Sequence, residues 1–240
     1  NHIIKIMNRY ILFFLFIALQ ANSQTIKATY TEKILKTIGK ESRAISNEIK
    51  PKTFTYSYAD KKSITELIPS QKSSIDTSHV EIGGRKLETY YQIDLPTIDI
   101  TFKNQNNKSI RKEYTISNKD FSAEEKLTDY EWTFADETAV INGYTCKKAT
   151  STKSLAPITA WYAEEIPVND GPGLYWGLPG LILKVELGEY TVVTVDKIVI
   201  SNENIEIKEP EMKTRPVSIR QMYKDIKTYL DSISPLAKYK

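Results

Sequence analysis

A chain of 240 residues, 40% hydrophobic and 26% charged, can bury one sizeable core and is too apolar to be wholly disordered. Setting aside Lys5 and Arg9, which lie in the leader described next, leaves 31 basic residues against 30 acidic ones, so there is no electrostatic footprint for nucleic acid. The one cysteine, Cys146, excludes an internal disulfide.

Residues 7–23 have the layout of a secretory signal peptide. Arg9 precedes an apolar run over 10–19, and Ala21 and Ser23 place small residues before a cut ahead of Gln24. The run is shorter than the roughly 20 residues a spanning helix needs. Cleavage is therefore expected, with no membrane span afterwards and export to the periplasm, cell envelope or exterior. Residues 1–6 precede Met7, the expected start. The mature chain, 24–240, shows no repeat and no linker and is expected to form one domain.

Over 25–35, Ile26, Ala28 and Tyr30 alternate with polar residues, the pattern of a half-buried strand. Residues 39–50 are charged and suit a loop with a helical turn. Phe54, Tyr56 and Tyr58 repeat the alternation over 53–58, Asp60-Lys61-Lys62 turns the chain, and 63–68 returns as a hairpin. The tract 69–84, which carries His79, is the most polar and reads as a long surface loop. Strands are expected at 85–93 and 97–102, separated by Pro96. An asparagine-rich turn leads to a partner strand at 109–117, and 118–127 reads as a polar connector.

Further strands are expected at 130–134, 141–151, 158–163, 181–187 and 190–200, with 204–207 extending the sheet. Asn142-Gly143 marks a tight turn or bulge, and Gly188-Glu189 a hairpin turn. One helix is expected, over 218–233: Ile219, Met222, Tyr223, Ile226, Leu230 and Ile233 recur at helical spacing. Ser218 and Gln221 form a capping-box pattern, and Pro235 ends the run. The fold class that follows is mainly β: one strongly curved, half-barrel-like antiparallel sheet of about ten strands, with a C-terminal amphipathic helix packed on it.

The usual chemical constellations are missing. The glycine-rich stretch 171–180 has no Lys-Ser or Lys-Thr pair and runs into a strand, so it is not a phosphate cradle. No serine sits in a nucleophile elbow. His79 is the one histidine after the leader, which leaves no metal cluster and nothing to orient a Cys146–His79 pair. Carboxylate pairs such as Glu124-Glu125 and Glu164-Glu165 suit solvated faces. Cys146 suits a buried strand position. No catalytic residue, metal or cofactor is expected.

The densest feature is 160–186, which holds four of the nine glycines, three of the ten prolines and two of the three tryptophans. Within it, Gly177-Leu178-Pro179-Gly180-Leu181-Ile182 spells the motif that names the GLPGLI family of secreted bacterial proteins. Gly143, Tyr144 and Cys146 in 141–150 resemble that family's upstream block, opened by Trp132. Trp161, Tyr162, Pro167, Gly171 and Pro172 follow in the family's order. Residues 151–157 stand where the family has a glycine-aromatic element. The resemblance implies a secreted protein of undefined biochemical role. The pattern is also distantly similar to LolA-type lipoprotein carriers, which implies a curved sheet with a covered concave face. Pro167, Pro172 and Pro179 with Gly177 and Gly180 are expected to build a rigid turn that packs Trp161 or Trp176 and delivers Leu181 and Ile182 into the sheet.

The function these readings favour is non-enzymatic binding of a hydrophobic or peptide-like partner, either an envelope protein or a lipid-like ligand. The alternatives are an accessory hydrolase or peptidase around Cys146, Trp161 and Glu164, and a structural module of an envelope assembly.

Overall fold

The computed structural model describes residues 24–35, 51–69, 74–82, 85–93, 96–154 and 156–233, with backbone alone for 74–82 and 85–93. The leader and the charged loop expected over 39–50 lie outside the described residues.

The described residues form thirteen strands and one helix, in order β1 (Thr25–Ile34), β2 (Lys52–Ala59), β3 (Lys62–Leu67), β4 (Ser74–Ile82), β5 (Arg85–Ile93), β6 (Ile98–Asn104), β7 (Ser109–Ile116), β8 (Lys119–Lys126), β9 (Thr133–Ile141), β10 (Tyr144–Ser151), β11 (Ile158–Ala163), β12 (Leu181–Leu187), β13 (Thr191–Ser201) and α1 (Ile219–Ile233). Eleven strands make one open antiparallel sheet, ordered β8-β7-β6-β3-β2-β1-β13-β12-β11-β10-β9, while β4 and β5 pair only with each other. The expected fold class holds, with one strand more than anticipated in the main sheet.

The alternation read from β1 and β2 puts Ile26, Tyr30, Tyr56 and Tyr58 on the inner face. There they join Ile158, Ala160, Leu183, Val185, Val193 and Val195 in the main core. On β6 the rule is reversed. The apolar row faces outward, where Phe102 packs with Ala59 and Ile207. Thr101 and Lys103 share the inner face with Thr65 and Ser63 of β3.

Four expectations need correction. The 69–84 tract contains β4, which pairs along its length with β5. A two-stranded ribbon set apart from the main sheet needs no strongly apolar face, so its polar composition hid it. The 118–127 connector is β8, reached through Ser117 and Asn118, both at positive φ (49° and 61°). That is a hairpin turn without a glycine to announce it. The strand expected at 130–134 starts only at Thr133, because Glu131 sits at φ 48° and breaks the extended run. Residues 204–207 do not extend the sheet.

They belong instead to a strap over 202–218 that crosses the outer face. Glu203 pairs with Lys27 (2.9 Å), Ile207 packs on Ala59 and Phe102, and Glu209 pairs with Arg111 (2.9 Å). Lys213 reaches Asp120 at 3.2 Å. At the sheet edge Val217 bridges Ala123, then α1 turns onto the inner face. Ser218 caps α1, its Oγ accepting from Gln221 N (3.2 Å). Ile219, Met222 and Ile226 pack on Ile110, Ile116, Phe121 and Ala123. No described helix is long and apolar enough to cross a membrane.

Candidate functional site

The connection between β11 and β12 lies across the inner face, and its backbone is internally bonded. Gly177 N donates to Asn169 O (3.1 Å), Leu181 N to Ile166 O (2.9 Å) and Ile182 N to Asp170 O (2.9 Å). Leu178, Leu181 and Ile182 are fully buried; Gly177 and Pro179 face outward. Gly177 needs its φ of 92°, while Gly180 is required for space. A β-carbon at Gly180 would lie 2.3 Å from the Ala163 carbonyl oxygen.

A buried ion pair fixes this connection to the far half of the sheet. Lys103 on β6 and Asp170 are both without solvent exposure, with Nζ 2.5 Å from Oδ1. The ammonium's other two donors go to Gly171 O and Tyr175 O, each at 2.7 Å. Asp170 Oδ1 also accepts from Gly171 N (2.8 Å). Burial pushes the Lys103 pKa down, against the opposing pull of Asp170. Tyr30, which donates to Ile182 O (2.8 Å), and Tyr56 lie close by. Burial first, and the Asp170 charge second, lift both phenols well above their usual range.

Two tryptophans fix the outer side of the connection. Trp132 Nε1 donates to Trp176 O (2.9 Å), and Trp176 Nε1 donates to Thr128 O (2.7 Å). Tyr130 stacks between Trp132 (5.0 Å between centroids) and Tyr175 (6.0 Å). Trp161, the other candidate for packing the turn, sits instead on β11, half-buried, with Lys148 5.9 Å from its ring centre.

This aromatic row separates two spaces. The inner one, about 120 Å³, lies under α1 between Tyr30, Phe54, Leu174, Tyr175 and Tyr223, with the Lys112–Asp99 pair on its wall. The outer one, about 490 Å³, is a groove walled by Tyr130, Trp132 and Trp176, with Gln105 and Asn169 beside them and Lys61 and Lys108 at the rim. Only the second falls in the size range of small-molecule and peptide sites, roughly 300–1,000 Å³.

Of the residues singled out from the sequence, Trp132, Gly171, Pro172, Gly177, Leu178, Pro179, Gly180, Leu181 and Ile182 converge on this connection. Pro167 opens it. Gly143 stands apart, in the β9–β10 hairpin with Asn142 (φ 83° and 49°). Tyr144 packs at the edge of the core, and Tyr162 is buried against Phe134 (6.2 Å). Cys146 is fully buried, and burial pushes its thiol up to about 11, so it is protonated at neutral pH. Its expected place as a buried strand residue holds. His79 lies on β4, outside the main sheet. No cluster of metal-ligating residues occurs among the described residues. The sequence reading missed Lys103 and Asp170. The available signal was the row Asp99, Thr101, Lys103 alternating with Ile98, Ile100, Phe102, which left open which row faces the core.

Residues 153–184 match the family model described as "Protein of unknown function (Porph_ging)". The match falls on the connection just described, fits a GLPGLI-type family, and names no activity. No curated protein matches the chain. Two solved structures of PNGF-II, in different space groups, share the fold with a TM-score of 0.51 and 16% identity, over 85% of this chain. The chain spans about a third of PNGF-II, 32% and 33% in the two structures, and the likeness concerns the fold alone. These structures do not show the LolA-type likeness that the sequence suggested.

Proposed function

We propose that this is an exported cell-envelope protein that binds a peptide-like partner without transforming it, in the groove between Trp132 and Trp176. The observation that carries the reading is the fixed attitude of the two indoles. Each spends its N–H on a backbone carbonyl, so the rings are set before any partner arrives. Ring faces, the Gln105 and Asn169 side chains and two ammonium groups offer stacking, amide pairing and anion contacts together. A lipid-like ligand under the sheet is disfavoured. The Asp170–Trp176 segment and the core tyrosines fill that face, leaving about 120 Å³.

The test is photo-crosslinking in the producing cell, with a photoreactive residue at position 61 on the groove rim and, as control, at exposed position 199 on β13. A protein adduct from the envelope fraction at position 61 alone supports the reading. Equal labelling at both positions, or adducts found only in the cytoplasm, sinks it.

A further inference from the structure

The sheet has two ends, and they are treated differently. On β8 the open ladder is occupied: Val217 N donates to Ser122 O (3.1 Å), and Glu124 N donates to Val217 O (3.0 Å). On β9 nothing among the described residues pairs beyond β10. Ile141 and Tyr144 flank the two-residue turn and form a hydrogen-bonded pair. Counting back, Ala139 bonds to Cys146, and the N–H groups of Thr138 and Val140 point away from the sheet. Val140 is 75% exposed and Phe134 59%.

The edge chemistry selects its occupant. Outward N–H and C=O groups in alternation are matched by another extended strand. A groove of about 360 Å³ opens beside β9, lined by Phe134, Asp136, Lys147, Tyr162, Glu164 and Pro179. Its two carboxylates outnumber its one ammonium, which leaves net negative charge beside the exposed Phe134 ring. Lys147 meets Glu164 at 2.7 Å, whereas Asp136 has no ion pair among the described residues. A second copy is a poor occupant. Antiparallel self-pairing centred on β9 sets Glu137 against its own equivalent, with the two Asp136 carboxylates one place away on either side.

We propose that β9 is a strand-addition site for an extended segment of another protein, with an arginine or lysine side chain meeting Asp136 beside the exposed Phe134 ring. This surface is distinct from the Trp132–Trp176 groove and lies on the other side of the Gly177–Pro179 ridge.

The experiment uses the full chain, isotopically labelled, and two capped heptapeptides of alternating valine and threonine, one with a central arginine and one with a central glutamate. The arginine peptide is expected to bind, slow amide exchange at Thr138 and Val140 and leave Ala139 unchanged. Asp136→Lys should weaken it about tenfold, and Val140→Pro should abolish it by removing an outward donor. Lys61→Glu, in the other groove, should have no effect. Asp136→Lys keeps the test valid where the proline variant fails to fold. The idea is overturned by equal affinity for the glutamate peptide, by no binding of either peptide at millimolar concentration, by dependence on Lys61, or by a β9-mediated dimer seen in sedimentation.

Discussion

At Gly180 the Ala163 carbonyl already occupies the place of a side chain. Gly180→Val must move the β11 end or the motif turn, and we expect a loss of about 3 kcal/mol, read as a lowered midpoint in urea unfolding. An unchanged midpoint would refute a backbone role for this glycine. Lys103→Met leaves Asp170 buried without its counter-charge, and about 3–5 kcal/mol should be lost. Adding Asp170→Leu removes the stranded charge. The double variant should therefore lose less than the sum of the two single losses, which a double-mutant cycle measures. The alternation around Lys103 left the inward row undecided, and nothing beside Asp170 marked it as a partner. Lys103 sits near the end of β6 and Asp170 in a proline-rich turn, with five strands, β7 to β11, between them in the chain.

Among elements, legibility followed how strongly each segment is two-faced. β1, β2, β12 and α1 carry an apolar row against a polar row, and their positions are written in the residues. β8 has only Phe121 and Ala123 facing the core, and its outer face serves the strap, so charge outweighed alternation there. The strap is irregular because it follows the outer surface across several strands, a path without a period of its own. Val217→Pro should expose β8: the donor to Ser122 O is lost. Faster amide exchange along β8, with β9 unaffected, is the expected result. Ser218→Ala should cost about 1 kcal/mol through the lost cap.

For the molecule as a whole, the inner face is dense with phenols. Tyr30, Tyr56 and Tyr175 are held well above the usual tyrosine value by burial, and Tyr58 is pushed up to about 12. The unfolded chain releases these protons near pH 10.0, while the folded chain keeps them. Raising the pH through that value therefore favours unfolding, and stability is fully present below it. Lys103 acts in the opposite sense. Its lowered pKa makes the folded state the poorer proton binder below 10.5, so its own contribution rises with pH. The phenols outnumber it, and we expect the melting temperature to fall above about pH 10, with tyrosinate absorbance emerging together with unfolding. Purified protein should carry no acyl lipid on extraction, since the space under α1 holds only about 120 Å³.

The strap follows in sequence every strand that it crosses. A chain that emerges from a ribosome or a translocation pore amino end first therefore cannot latch its β8 rim until the strap is out. Before that moment both rims are open to neighbouring polypeptides; afterwards, among the described residues, β9 alone is unpaired. Strand capture by a chaperone and strand capture by a mature partner would thus use opposite ends of the same sheet.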